Sequence, residues 1–367
     1  MTVYGVQDAY EASLSIDGLD LVVSKTAFKE ITVRSGLHRD LPTIFIHFDD
    51  KGSLAVRHIG TADGKSAQVY LNDGRNGVGY SGTFVLMGGA KCTISPHGID
   101  AQYSGVLDAV PWMRKVSDAH FKGTSAEMMA MLGAQAGLGA VTSATSDFMT
   151  WLPNRRTLSQ QARFVAERGY AGPTSCMIMA VTGNKTLLYR NVEDIMNGGS
   201  SKLFDHAGKG IRVWQFEVAS KAGAYNHSAA YGASTMGDKI TGEFLELGKT
   251  ALAQFSNLGV SSALAGQTGK YGGRISPFPV NPGNVFEKYI DAQHQNRRIK
   301  STYSNDIHIM TDTASGVELM DKVTYLCADP MTLDTLEVFS GEFMITNKVI
   351  TLRDGRYYEK LTLTNQG

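Results

Sequence analysis

The sequence predicts a mainly β protein with α/β insertions. Three observations carry this. Short alternating runs separated by Asp-Gly and Gly-rich turns fill the first hundred residues, helical spacing takes over near Pro111, and strand texture returns at Ile211 and continues through the C-terminal hairpin. A chain of 367 residues has room for two or three domains of about 100–200 residues each, with cores that need no covalent staple.

The opening region, residues 1–110, reads as strands "ASLSIDG", "AFKEITVRSGL", "TIFIHFDDKG", "SLAVRHIG", "SAQVYLNDG" and "GTFVLM". Asp17-Gly18, Asp50 to Gly52 and Asp73-Gly74 supply turn chemistry, because Gly and Asp tolerate the positive φ of tight hairpins. In the third run Ile44, Ile46 and Phe48 face one way and Phe45 and His47 the other. Such short strands predict an antiparallel barrel or sandwich.

Residues 111–205 read as a small α/β domain. Thr124 with Glu127 forms a capping-box signature ahead of Met128, Met131 and Leu132 on one helical face. A second helix is predicted in "TLSQQARFVAERG", with Leu158, Ala162 and Val165 aligned and Gly169 placed to end it. The run "CMIMAVTGNKTLLYRN" reads as a hairpin about Thr182 to Asn184. Residues 206–235 and 305–367 form a second β-domain, split at 236–304 by a Gly-rich insertion closed by Pro277, Pro279 and Pro282 and a helix in "NVFEKYIDAQHQNRRIK". About forty residues without periodicity are unusual inside one compact domain, which is why the segment reads as an insertion.

Composition excludes several function classes. Lys plus Arg balances Asp plus Glu at 35 each, so the whole chain exerts no net pull on nucleic acid or anionic membrane. Charged residues make up 19%, below the roughly 25% of ordinary soluble domains, as expected of a surface covered by partner subunits. Cys92, Cys176 and Cys327 are far apart and odd in number, so they read as small buried hydrophobes rather than a disulfide framework or zinc ribbon. The start lacks a basic region followed by an apolar one, and no run of 18 apolar residues occurs. The expectation is a protein made and assembled in the cytosol without a membrane span.

No motif assigns a catalytic residue, a cofactor or a metal ligand. "GTADGKSAQ" contains Gly64-Lys65-Ser66, but only three residues separate Gly60 from Gly64 and a strand follows, so a polar hairpin turn replaces the P-loop reading. The nine histidines include no i, i+4 pair and no H-E-x-x-H, and "GYSGT" lacks the spacing of a nucleophile elbow. Asp49-Asp50 reads as turn chemistry rather than paired catalysis, and Asp306 with Asp312 is the other carboxylate pair weighed. Arg297, Arg298 and Lys300 suit a helix C-terminus, and Met128, Met129 and Met131 suit a core or subunit contact. In the closing stretch Phe343, Ile345 and Val349, with Tyr357, Leu361 and Leu363, alternate with Thr346, Lys360, Thr362 and Thr364 about an Asp354-Gly355 turn.

The order of parts resembles the central baseplate hub proteins of contractile-tailed bacteriophages, which are similar to the hub portion of type VI secretion spike proteins. Three stretches carry the likeness: the barrel-like run with "TIFIHFDDKG"; "FKGTSAEMMAMLGAQAGLG" followed by "WLPNRRTLSQQARFVAERGYA" and a "TLLYRN" hairpin; and "VFSGEFMITNKVITLRDGRYYEKLTLTNQG". The likeness fades between about 236 and 283.

The resemblance implies two tail-tube-like antiparallel β-barrel domains per chain and a homotrimer forming a pseudo-sixfold ring. That ring would join a hexameric tail tube to a trimeric central spike within the virion baseplate, assembled in the host cytoplasm. Its partners would be tail tube, spike and other baseplate proteins, with transient contact to tape-measure protein and DNA in the channel. No cofactor and no catalysis are implied. On this resemblance Phe343, Ile345, Val349, Tyr357, Leu361 and Leu363 are structural interface candidates. Two other classes remain as rivals. A peptidoglycan-degrading tail component predicts a cleft with a carboxyl of raised pKa, and a receptor- or glycan-binding tail module predicts an exposed aromatic platform.

Overall fold

The computed structural model describes residues 10–21, 28–37, 39–51, 54–60, 63–75, 79–87, 91–96, 98–117, 120–153, 155–172, 176–220, 235–237, 244–246, 305–329, 332 and 334–365. The expected helix at 284–300, and with it Arg297, Arg298 and Lys300, lies outside the described residues.

The first β region follows its turn chemistry closely. Strands β1 (Glu11–Ile16) and β2 (Leu19–Leu21) meet at Asp17-Gly18, whose φ angles of 51° and 81° give the double left-handed turn of a two-residue hairpin. Strands β3 (Phe28–Gly36) and β4 (Thr43–Asp50) are antiparallel, with Ile44, Ile46 and Phe48 buried and Phe45 and His47 on the opposite face. One expectation fails here: "SLAVRHIG" is not a strand, because Leu54–Ile59 forms a short helix, α1. The Asp50 carboxylate accepts the Val56 N–H at 2.8 Å, Ile59 anchors in the core at 1% exposure, and Arg57 and His58 complement the helix C-terminus. These local bonds outweigh the β propensity of two residues. Strands β5 (Ser66–Asn72), β6 (Tyr80–Leu86), β7 (Lys91–Ser95) and β8 (Gly98–Leu107) complete the region.

The α/β region is held by caps and aromatic anchors. Helix α2 (Val110–Arg114) carries Pro111 in its first turn, where a missing N–H is harmless. After β9 (Phe121–Gly123), helix α3 (Ser125–Gln135) begins with the Thr124/Glu127 capping box, and Met128, Met129 and Leu132 are fully buried. Strands β10 (Gly139–Thr142) and β11 (Met149–Trp151) precede α4 (Leu158–Ala166), whose own capping box pairs Thr157 with Gln160. Leu158, Ala162 and Val165 are at 0% exposure. Trp151 is buried and donates its ring N–H to the Gly123 carbonyl at 3.0 Å. The expected hairpin forms as β12 (Met177–Val181) and β13 (Thr186–Asn191), and α5 (Val192–Asn197) follows.

The second β region comprises β14 (Leu203–Asp205), β15 (Ile211–Arg212), β16 (Gln215–Ser220), β17 (Thr235–Gly237), β18 (Phe244–Glu246), β19 (Asn305–Thr311), β20 (Lys322–Leu326), β21 (Gly341–Arg353) and β22 (Arg356–Asn365). Among the described residues β17 and β18 pair only with each other. The rest join the first region in one fifteen-stranded sheet ordered β15-β14-β20-β21-β3-β4-β8-β6-β5-β1-β2, with β22 and β19 leading from β21 to β16. The protein is mainly β and its pairings are mostly antiparallel, and no closed barrel forms among the described residues.

Two apolar cores lie along this sheet. The first gathers β1 to β6 and β8, the faces of α2 to α4, and Ile350, Leu352 and Tyr357 of the closing hairpin. The second gathers Phe343, Ile345, Leu361 and Leu363 of the same hairpin with β19, β20 and α5. Strands β12 and β13 bridge them, offering Val181 and Leu187 to the first core and Ala180 and Leu188 to the second. Each fully buried Leu, Ile or Phe side chain here contributes about 1.5–3 kcal/mol.

Candidate assembly surface

The closing hairpin is the joint between the two cores. Its turn residues Asp354 and Gly355 have φ of 50° and 69°, which only a turn tolerant of left-handed backbone allows. Along one edge β21 pairs throughout with β22. Along the other it pairs first with β20 (Lys322↔Met344) and then with β3 (Asn347↔Gly36 to Arg353↔Glu30). The exchange of partners coincides with a bulge between Ile345 and Asn347, which leaves Thr346 as an extra residue. Its polar groups are satisfied: the Thr346 hydroxyl donates to the Thr362 carbonyl at 3.2 Å, and its carbonyl accepts the Leu37 N–H at 3.0 Å.

That extra residue resets which side chains point inward. Phe343 and Ile345 are at 1% and 0% exposure, but beyond the bulge the inward set becomes Lys348, Ile350 and Leu352. Val349 pairs with Lys360 and faces away, half-buried, so it does not share a face with Phe343 and Ile345. Tyr357, Leu361 and Leu363 are buried at 2%, 0% and 0%. The structure thus gathers five of the six candidates into cores of this chain and sets Val349 apart. The polar face is also less open than its composition implies, since Thr362 and Thr364 are buried and Thr364 donates to Asp306 at 2.6 Å.

Lys348, brought inward by the bulge, meets Glu359 at 3.4 Å, with side-chain exposures of 7% and 1%. Glu359 also accepts from the Ser315 N–H at 3.0 Å and the Ser315 hydroxyl at 2.5 Å. Lys348 donates to the Val317 carbonyl at 2.5 Å. From the first β region Asp73 accepts the Ala314 N–H at 3.0 Å, so the loop 312–317 is tied to both halves. A buried pair needs such surrounding bonds to offset its desolvation.

On the opposite face one row of side chains crosses both regions: Val106, Thr43, Arg34, Val349, Lys360, Met310 and Gln215. A second row runs through Ser104, Phe45, Thr32, Thr351 and Tyr358. Over β3, β4 and β8 this face forms an open depression of about 620 Å³. Its end carries an ionic cluster. Lys29 bridges Asp49, at 2.8 Å, and Asp100, while His47 Nε2 lies 3.0 Å from both Asp100 oxygens. Lys29 first and His47 second hold the Asp100 carboxyl down to about 2. Asp49 and Asp50, read from sequence as turn carboxylates, are the last residues of β4; Asp49 serves this cluster and Asp50 caps α1.

Among the described residues the outer edge of the second region is β16, which pairs there with β19 alone. Trp214, Phe216 and Val218 are exposed there at 46%, 37% and 42%. Phe216 packs edge-on against His206, whose Nε2 meets the Tyr325 hydroxyl at 2.8 Å. Burial lowers the His206 pKa. Sequence reasoning marked β16 only as strand texture. The dense aromatic and β-branched content of "IRVWQFEV" was the available signal, and nothing local told that its apolar side ends a sheet rather than fills one.

The chemistry available is limited. Among the described residues no group of three or more His, Cys, Asp and Glu side chains is placed to hold a metal ion, and no helix is long and apolar enough to cross a membrane. Cys176 and Cys327 are buried as expected, but Cys92 is exposed, because β7 projects from the sheet with its side chains open. Burial holds the Glu318 carboxyl above its ordinary range; it lies beside Lys348 and Asp321 and lines no part of the depression.

No family model and no curated protein matches the chain. Solved structures do. A tail protein from Neisseria meningitidis MC58 aligns over 97% of this chain and 96% of its own length with a TM-score of 0.59 at 12% identity. The 43 kDa tail protein of prophage MuSo2 from Shewanella oneidensis gives the same coverage and TM-score at 11% identity. An Escherichia coli type VI secretion component, described as structurally similar to the T4 tail proteins gp27 and gp5, aligns over 96% of this chain and 77% of its own at TM-score 0.50 and 12% identity. The likeness in fold runs from end to end, so this chain has the fold of phage tail proteins and type VI secretion components.

Proposed function

We propose that this protein is a structural tail or baseplate hub of a contractile injection apparatus. The observation that carries the reading is the fold likeness to tail proteins over nearly the whole of both chains. Fold alone does not fix function, and the interior adds support. Polar and ionisable groups that are deeply buried do not converge on a cleft: Lys348 and Glu359 hold the 312–317 loop within the second β region, and Asp73 ties that loop to the first.

In this reading residues 1–110 form one tail-tube-like module, and 206–235 with 305–367 form the other. Three copies make a pseudo-sixfold ring between the hexameric tail tube and the trimeric spike. The α/β region 111–205 and the insertion 236–304 brace that ring from outside. The rows that cross both regions line the channel through which tape-measure protein and DNA pass, with Arg34 and Lys360 as the charged members of the rows. Phe343, Ile345, Tyr357, Leu361 and Leu363 act in assembly by holding the strands that neighbours contact, and Val349 belongs to the exposed rows. The protein works without catalysis or cofactor, in the virion baseplate after assembly in the host cytoplasm.

Cryo-electron microscopy of assembled particles tests this directly. Density for this chain at a sixfold-to-threefold junction, one copy per threefold position, is expected. Its placement in a fibre or outside the tail axis overturns the hub, and a cleared zone in a cell-wall zymogram overturns the absence of catalysis.

A further inference from the structure

Two exposed surfaces on different regions of the chain are complementary in charge and alike in apolar content. The first lies where residues 114–117 run beside 155–158, joined by Ser117 N–H to the Arg156 carbonyl and Leu158 N–H to the Lys115 carbonyl, both at 2.9 Å. Val116 and Leu152 are exposed there at 41% and 47%. Around them stand Arg114, Lys115 and Arg155, all exposed, and Arg156, whose guanidinium lies 3.9 Å from the Phe164 ring centre. One Arg156 terminal nitrogen is buried without a hydrogen-bond partner among the described residues. Arg163 adds a further cation, paired with Asp40 at 2.7 Å.

The second surface lies at the β16 edge. Phe216 and Val218 are exposed there, Phe216 packs against Phe339 at 6.3 Å, and the adjacent Val338 is 89% exposed. Beside Val338 and Phe339 its rim is acidic: Asp334 and Glu337 are exposed, and from Val323 to Asn347 the sequence holds no Lys or Arg, while Lys209 and Arg212, also exposed, precede β16 in the chain. No ion pair joins the two surfaces within the chain among the described residues. Each therefore has the anatomy of half an interface, an apolar centre with a charged rim, and the rims are of opposite sign.

We propose that the basic surface of one copy of this chain binds the acidic β16 surface of the next, a head-to-tail contact. A contact between two different patches leaves a free patch at each end, so copies add until a ring closes. The proposal deepens the hub reading and rests on it only for the number of copies. An acidic segment of another protein, or nucleic acid, is the competing occupant of the basic surface. The exposed Val116 and Leu152, and a matching acidic and apolar patch on the same chain, favour a second copy.

Sedimentation of the full chain at low and high salt tests the contact, using Lys115→Glu with Arg155→Glu, Asp334→Lys with Glu337→Lys, and all four together. Self-association that salt weakens is expected for the unaltered chain. Each one-sided pair weakens it at least about tenfold, and the fourfold variant restores most of it, since only that variant re-forms opposite rims. Restoration also shows that the single-sided losses are not misfolding. One-sided variants that associate like the unaltered chain overturn this contact while leaving the hub standing. An unaltered chain that stays monomeric at every concentration overturns the second copy as occupant, and particle symmetry then judges the hub separately.

Discussion

Lys348 and Glu359 are the residues whose roles depend most on their surroundings. At 3.4 Å and almost without solvent, neither can lose its partner cheaply. Lys348→Met alone or Glu359→Leu alone is expected to cost about 3–5 kcal/mol in urea unfolding, whereas the double replacement costs far less than the two together. Asp100 gives a pH signature instead. Its folded pKa lies below its ordinary value, so its pairing with Lys29 and His47 stabilises the fold fully above about pH 4, and that stability fades as pH falls toward 2. Asp100→Asn is therefore expected to be less stable than the parent at neutral pH and to converge with it near pH 2 in acid unfolding followed by circular dichroism. Neither role was legible from sequence. Period-two counting set Val349 rather than Lys348 with Phe343 and Ile345 because it assumes an unbroken strand, and Asp49 looked like turn chemistry because its partner, Lys29, is on another strand.

At the level of elements, the features that were legible are those whose signal is local. The Thr124 cap, the spacing of Leu158, Ala162 and Val165, and the Asp-Gly turns at 17 and 354 all require only neighbouring residues, and each appears where expected. The Thr157 cap is equally local, and Thr157→Ala is expected to cost about 1 kcal/mol in thermal unfolding. Helix α1 was misread because "LAVRH" carries apolar and β-branched residues, while its start is fixed by Asp50 reaching forward to the Val56 N–H. The bulge at Thr346 was invisible because it answers a change of neighbour from β20 to β3, a fact of topology. Deleting Thr346 leaves Ile345 opposite Leu363 and Asn347 opposite Thr362 in one unbroken register, so the inward set is kept and what is lost is the local bend and the carbonyl that accepts the Leu37 N–H. That deletion is expected to lower the urea unfolding midpoint by loosening the exchange from β20 to β3 while the hairpin stays paired, whereas Thr346→Ser, which keeps the count and the hydroxyl, leaves the midpoint close to that of the parent.

Across the whole molecule, the two cores depend on one hairpin. Residues 341–365 supply inward side chains to both, and β12 and β13 touch both from the other direction. The order of β, α/β and β regions was legible as texture, while their fusion into one sheet was not, because pairing between β3 and β21 spans about three hundred residues and leaves no periodic trace. The sharing also sets a schedule for synthesis. Domains commonly fold as they leave the ribosome, N-terminal first, but here β3 emerges early and its neighbour β21 emerges near the end of the described chain. A nascent chain arrested before residue 341 is therefore expected to leave residues 10–110 open to pulse proteolysis, and release past residue 365 to protect both regions together. Strands β21 and β22 would thus act as the latch for β3, so that a copy cut short before them is left for degradation before it can enter an assembly.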